Sequence, residues 1–403
     1  MLKSLELFSG AGGLAKGIEI AGASHAAFVE LNSDACKTLR YNYNSEIVHE
    51  TDVRHFNFKK FTGIDLIAGG PPCQPFSVGG KAKGFDDERD MFPYAISAIR
   101  QLTPKAFIFE NVKGLLRKSF AEYFNYIILQ LTYPEITNNT KDWKHHLSEL
   151  GKVHTNGNFK LLKYNVVFHL MNAANFGVPQ KRERVFIVGI RNDLDLEWTF
   201  PDNTHSEDAL LWSKYVTGDY WKEHAIQPAI SDSLLREIEK ARLIKKYGFF
   251  PPTLKPWLTV RDAIADLPNP QKILDFHPEH NYRSGARSYA GHTGSDIDQP
   301  SKALKAGDHG VPGGENMIRF ADGSVRYFTI LEAKRMQTFP DDYPILGSWT
   351  EAMRQLGNAV PVKLGQIIGE SLIPRLINPI LPVKEKVDLQ PMRNRLAYAG
   401  QTQ

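Results

Sequence analysis

The chain has 403 residues, of which 42% are hydrophobic, 23% charged and 11% aromatic, and its 49 basic and 45 acidic side chains leave a net charge of +4. That length holds two domains, or one large domain with an insertion. The mild positive balance cannot establish a nucleic-acid partner but is compatible with one, and no stretch approaches the roughly 20 uninterrupted apolar residues of a membrane span.

The opening residues, MLKSLELFSGAGG, run straight into strand-like sequence. They leave no room for a targeting peptide, so a cytoplasmic location is expected and no membrane partner. Short apolar strands are predicted over residues 4–8, 26–30, 47–50, 66–68, 106–109, 165–170 and 185–190. Helices suit the segments 14–21, 33–43, 94–102 and 123–131. This alternation is the pattern of an α/β domain with a doubly wound parallel sheet covered on both faces. From about residue 192 the rhythm stops, and aromatic residues, prolines, glycines and histidines dominate, with a charged helix-like patch at 234–247. Regularity returns at 327–337, and a closing helix is expected at 362–372. The chain therefore divides into a first domain part (1–191), a smaller irregular domain (192–324), a part that completes the first domain (325–382) and a polar tail (383–403).

Leu5–Gly13 (LELFSGAGG) places a strand, a glycine-rich turn and then a helix. Gly10, Gly12 and Gly13 let the backbone pass close to a ligand, as in nucleotide-binding turns. The second strand ends at Glu30, where a carboxylate could accept both ribose hydroxyls. The third is followed by Thr51-Asp52-Val53, where Asp52 could accept from an adenine amino group while Val53 packs on the ring. Either acid alone could equally be a solvated strand end. Together they favour an adenosine ligand, and since no GxxxxGK[ST] phosphate loop occurs, S-adenosylmethionine is the expected cofactor. No metal is called for.

The fourth strand runs into Gly69–Ser77, GGPPCQPFS. Two prolines fix the backbone before Cys73 and hold its thiol at the carboxyl edge of the sheet. Such a thiol suits methylation of ring carbon 5 of cytosine. Addition of a thiolate to carbon 6 breaks the aromaticity and makes carbon 5 nucleophilic towards a sulfonium methyl. Cys36, in a helix-like stretch, reads instead as a small buried hydrophobe. Glu110 ends the apolar run AFIFE, so partial desolvation should raise its pKa. Protonated, it could donate to ring nitrogen 3 and accept from the exocyclic amino group; alternatively it caps a following helix. Arg182 and Arg184 alternate with Glu183 and should share one side. There they could hold the base's carbonyl oxygen, orient Glu110 and favour the Cys73 thiolate, or merely face solvent.

LELFSGAGG, GGPPCQPFS, Glu110–Val112 (ENV), Gln180–Arg184 (QKRER), Arg335–Asp342 (RMQTFPDD) and Gln355–Pro361 (QLGNAVP) resemble, in order, the sequence blocks of bacterial cytosine-5 DNA methyltransferases of restriction–modification systems. The resemblance covers roughly 5–190 and 325–372, and implies that 192–324 is the variable target-recognition domain. It implies that Cys73 is the nucleophile, with Glu110, Arg182 and Arg184 at the base. Phe8, Glu30, Leu31, Asp52, Val53, Pro72, Met91, Asn358 and Val360 would line the cofactor pocket, and residues 76–90 would form a mobile loop. Ser77 and Lys81 are expected on the DNA, as are Arg283 and Arg287, which could pair with guanine or neutralise phosphates.

Double-stranded DNA is thus the expected partner. The protein should act as a monomer, and a cognate restriction endonuclease would share its site. The sequence DERDMF departs from the family pattern around Asp90 and Met91, and the stretch 119–160 has no assigned role. The alternatives are an RNA cytosine methyltransferase and a catalytically silent DNA-binding regulator.

Overall fold

The computed structural model describes residues 1–72, 90–138, 142–157, 160–227, 233–273, 276–306 and 316–378. Three of its strands, β1 (Leu2–Leu7), β4 (Leu66–Gly69) and β5 (Ala106–Val112), are buried along almost their whole length. That is the signature of strands covered on both faces. With β2 (Ala23–Glu30), β3 (Val48–Glu50), β6 (Tyr164–Asn172) and β8 (Glu183–Arg191), they form a seven-stranded sheet in the order β3-β2-β1-β4-β5-β8-β6. Alternate residues of β5 serve opposite faces. Phe107 and Phe109 join one core cluster, with Leu5, Leu7, Ile99 and Ile127. Ala106 and Ile108 join the other, with Ile18, Leu66, Phe186 and Ile368.

The rhythm of the sequence implied a parallel sheet throughout. The first five strands obey it, but β8 runs antiparallel to both β5 and β6. The cause is the link between β6 and β8, residues 173–182, which contains only a short 3-10 turn and the two-residue strand β7 (Gln180–Lys181). A link that short has no room for a crossover helix, so the chain must turn back.

Helix α1 (Gly13–Ile20) follows β1, and α2 (Ser33–Asn42) follows β2. From the far end of the chain, α12 (Val362–Ile377) packs on α1. Glycines make that approach close: a Cβ on Gly17 would lie 2.3 Å from the Val362 carbonyl oxygen. On the other face, α3 (Phe92–Leu102) and α4 (Ala121–Thr132) lead to α5 (Trp143–Asn156). The stretch without an assigned role thus has a packing one. Trp143 packs edge-on against Tyr123 and tilted against Tyr126, and the Tyr126 hydroxyl lies 2.9 Å from His146 Nδ1.

Beyond residue 191 come α6 (Glu207–Tyr215), α7 (Asp219–Glu223), α8 (Ser233–Tyr247) and α9 (Val260–Ile264), among strands of two or three residues. Polar contacts hold this region. Asp298 accepts both Arg261 Nε (2.7 Å) and Nη2 (3.1 Å), together with the Tyr220 hydroxyl (2.7 Å). The Lys214 ammonium donates to the Asp298 carbonyl. Finally, α10 (Ile330–Met336) starts at a Thr329–Glu332 capping box, and α11 (Trp349–Asn358) is capped by Ser348.

Candidate active site

Strand order reverses between β1 and β4, and a crevice opens at their carboxyl ends. It has a volume of about 1210 Å3, ample for a nucleoside-sized ligand. Of the residues expected to line a cofactor pocket, Phe8, Gly10, Gly13, Glu30, Leu31, Asp52, Val53, Pro72, Met91, Asn358 and Val360 all border it. Gly12 does not. Its φ of +84° starts α1, and a Cβ there would sit 2.6 Å from the Tyr343 hydroxyl. Gly13 is required on steric grounds, because its Cβ would fall 2.2 Å from the Val360 carbonyl oxygen. Phe8 holds the left-handed φ of +52° without being glycine, a conformation that surroundings must enforce.

Glu30 stands at the end of β2 with its carboxylate fixed by backbone donors. Gly10 N donates to Oε2 and Asn32 N to Oε1, both at 2.7 Å. Asp52 also borders the crevice, but its oxygens accept the backbone N–H of Arg54 (2.9 Å) and its guanidinium (2.9 and 2.6 Å). The Arg54 hydrogen bond holds its pKa below the ordinary carboxylate value. Arg54 therefore belongs to the crevice wall, as does Arg354, which is paired to Glu351 at 2.6 Å. Neither was expected; an arginine two residues after Asp52 was the available signal for the first.

Gly69, Gly70, Pro71 and Pro72 line the crevice at the end of β4. Cys73, Ser77 and Lys81, with residues 76–89 of the expected loop, lie outside the described residues. The approaches to them are fixed. Asn111 Nδ2 donates to the Pro71 carbonyl (3.0 Å), and Met91 N to the Pro72 carbonyl (3.2 Å), which ties the two ends of that segment together. Asp90 caps Phe92 N (3.2 Å) and accepts the Tyr123 hydroxyl. The DERDMF departure thus places a buried acid where α3 begins.

Strand β5 continues to Val112, so Glu110 sits inside it, opposite Phe186. It caps no helix. Its Oε1 is ion-paired with Arg184 Nε at 2.7 Å, and its Oε2 lies 3.2 Å from where a Gly70 Cβ would be. Among the described residues Oε2 has no donor, and Glu110 borders the crevice. Burial pushes its pKa up, and the opposing charges of Arg184 and Arg182 only partly offset this.

Arg182 is placed differently from expectation. It is only 1% exposed, and its guanidinium donates to the carbonyls of Leu304 (3.1 Å), Gly357 (2.7 Å) and Ala359 (3.0 Å). It contributes charge to Glu110 but turns its hydrogen bonds to the backbone. Two distant stretches, 304 and 357–359, lie over the start of β8 and take those donors. Arg283 and Arg287 are both exposed, and the Arg283 guanidinium lies 4.3 Å above the Trp349 ring. Cys36 is buried, with burial pushing its thiol up to about 12, as suits an inert core cysteine.

The carboxyl-edge crevice at the switch point, bordered by a buried acid, defines a class: a doubly wound α/β enzyme with room for a nucleoside-sized ligand. Residues 2–133 and 138–374 match the profile of the C-5 cytosine-specific DNA methylase family. The type II methyltransferase M.NgoMIV of Neisseria gonorrhoeae is 32% identical over 93% of this chain and 97% of its own length. M.Eco47II of Escherichia coli is 31% identical over 92% of this chain and 78% of its own. The S. pombe Dnmt2 methyltransferase shares the fold, with a TM-score of 0.55 at 17% identity over 93% of this chain and 99% of that structure. The chain belongs to the C-5 cytosine-specific DNA methylase family. It is a DNA (cytosine-5-)-methyltransferase of the restriction–modification kind, and S-adenosylmethionine is its methyl donor. Among the described residues, no helix is long and apolar enough to cross a membrane.

Proposed function

We propose that the enzyme methylates a cytosine flipped out of double-stranded DNA, through a transient bond between Cys73 Sγ and ring carbon 6. The observation that carries this reading is Glu110: a buried carboxyl with a raised pKa and one oxygen open to the crevice, beside the Gly-Gly-Pro-Pro run that leads into Cys73. S-adenosylmethionine supplies an electrophilic methyl group. Protonated Glu110 donates to ring nitrogen 3 and accepts from the exocyclic amino group, drawing electrons from carbon 6. Arg184 holds the carboxyl and presents positive charge towards the base's carbonyl oxygen. The thiolate adds to carbon 6, and the electron pair of the 5,6 double bond, now available at carbon 5, would take the donor's methyl as its carbon–sulfur bond breaks and S-adenosylhomocysteine leaves. Loss of the carbon 5 proton to a base then expels the thiolate and restores the ring. Addition needs access to a ring face, so the base must leave the stack, at a cost of a few kcal/mol that contacts in the pocket offset.

In this reading residues 192–324 select the target sequence, Ser77, Lys81, Arg283 and Arg287 touch DNA, and methylation in the cytoplasm protects host DNA from a cognate endonuclease. The enzyme acts as a monomer.

Bisulfite sequencing of host DNA with and without the protein identifies the methylated site. A duplex carrying 5-fluorocytosine there should then trap the enzyme, because fluorine cannot leave as the proton does. A donor-dependent, denaturant-resistant adduct mapping to a Cys73 peptide, absent in Cys73→Ser, is expected. An adduct at Cys36, or none despite methylation of ordinary DNA, overturns the mechanism.

A further inference from the structure

Arg182 is among the largest fully buried side chains of the protein, and the structure gives it work away from the base. Its three carbonyl acceptors come from two stretches far apart in sequence. Gln180 holds Leu304 directly and reaches the second stretch only through 336–337: its Oε1 accepts from Leu304 N (3.0 Å), and its Nε2 donates to the Met336 carbonyl (2.9 Å) and Gln337 Oε1 (3.2 Å). Gln337 in turn donates to the carbonyls of Leu356 and, at 3.3 Å, Ala359. Backbone presses on backbone beside them, for a Cβ on Gly357 would lie 2.4 Å from Ala306 N. Asn316 closes the far side, accepting from Lys305 N (3.2 Å) and donating to its carbonyl (3.1 Å).

The two clamped stretches serve different ends of the reaction. Asn358, Ala359 and Val360 form a wall of the donor crevice. Residues 301–306 belong to the irregular region and join the sheet domain through β12 (Ser301–Lys302), which pairs with β7. We propose that Arg182 is a positioning residue that couples occupancy of the methyl-donor crevice to the 301–306 segment of the DNA-reading region. This rests on the assignment of 192–324 to target recognition only for the name of what is coupled.

The physical reason is rigidity. A planar guanidinium spans all three carbonyls at once, and each charge-assisted hydrogen bond would be left unmet in a dry interior if one stretch moved alone. A displacement of 357–359 on donor binding therefore passes to Leu304. Coupling of this kind is reciprocal, so DNA contacts that shift 304 must also change donor affinity.

Amide hydrogen exchange on the full chain, with and without saturating S-adenosylhomocysteine, tests this. Ligand should slow exchange in peptides covering 8–13 and 355–360, and also at 302–306, the last by at least about fivefold. In Arg182→Met the slowing at 8–13 should persist while that at 302–306 disappears, and Arg182→Lys should fall between the two. An unresponsive 302–306 segment in the wild type, or equal protection there in Arg182→Met, overturns the proposal. If the methionine variant does not fold, the wild-type and lysine measurements still decide. Failure of the cysteine chemistry would leave these exchange results unchanged and would show instead in the 5-fluorocytosine experiment.

Discussion

Two arginine–carboxylate pairs, one in each half of the molecule, have opposite electrostatic fates. In the sheet domain, Arg184 Nε meets Glu110 Oε1 at 2.7 Å, and the acid's pKa is raised. In the irregular region, Arg261 meets Asp298 at the same 2.7 Å, and that acid's pKa is lowered. Burial pushes both upward. The difference is the number of donors: Asp298 takes both guanidinium contacts and the Tyr220 hydroxyl, which outweigh burial. Glu110 has one arginine and an oxygen left for the crevice. A saturated pair holds a fold together, and an unsaturated one is available to a substrate.

The largest effect that could break this contrast is at Glu110. Glu110→Gln should lower the single-turnover methylation rate by about 10²–10⁴-fold without lowering the melting temperature at pH 7. The sign follows from linkage. A carboxyl whose folded pKa is raised stabilises only while protonated, and that contribution is lost as pH rises through the folded pKa. In its ionised form the acid is therefore no asset to stability. In the proposed mechanism the protonated form acts on the base, so wild-type activity should also fall as pH rises through that raised pKa, and this limb should be missing in the glutamine variant. A variant that melts early but keeps its rate would reverse the assignment.

Asp298→Ala is the counterpart. It strands the Arg261 guanidinium and the Tyr220 hydroxyl in a part-buried setting, while Lys214 keeps its main-chain carbonyl and loses only the nearby charge, and denaturant unfolding should show a loss of about 3–5 kcal/mol. The donor crevice shares no residue with this knot, so calorimetry should find the affinity for S-adenosylhomocysteine unchanged. A smaller effect is expected at Gly13→Ala, where the added methyl meets the Val360 carbonyl. Overpacking there should cost about 1–3 kcal/mol of stability in denaturant unfolding and weaken donor binding about tenfold, or about 1.4 kcal/mol.

How much of this was legible from sequence follows the same division. The β1 turn, Glu30 and Asp52 could be placed because short apolar runs bounded by polar residues mark where strands stop, and Glu110 because it closes such a run, although β5 continues through it to Val112. Arg184 was legible for the same reason. Arg182 was not, because what surrounds it comes from 122 and 175 residues away, and no local pattern carries that information. The antiparallel β8 was hidden by the same blindness to how strands pair. In the irregular region, α6, α7 and α9 are joined by polar contacts and small apolar clusters between distant residues, and Arg283 lies over Trp349 of the closing part. Alternation of apolar positions cannot show these.

The knot around Asp298 also makes the smallest and most specific prediction. Lys214 is 3% exposed, with its ammonium 4.7 Å from the Tyr220 ring centroid and bonded to the Asp298 carbonyl. Burial lowers its pKa from 10.5 to about 8, and the charges of Asp298, Asp296 and Asp262 oppose that shift without cancelling it. Above pH 8 the folded protein sheds this proton, while the unfolded chain keeps it until about 10.5. The unfolded state then binds more protons, so stability must rise with pH in that window and fall away as pH drops through 8. The rise attributable to Lys214 should be about 1 kcal/mol between pH 8 and pH 9. Other groups titrate there too, but Lys214→Met removes this one alone and keeps an apolar stem beside Tyr220 and Trp221. Urea unfolding of both proteins at the two pH values isolates the difference. Equal pH dependence would mean that the ammonium is far better solvated than its burial implies, and the contrast between a closed polar knot and an open polar site would lose its clearest support.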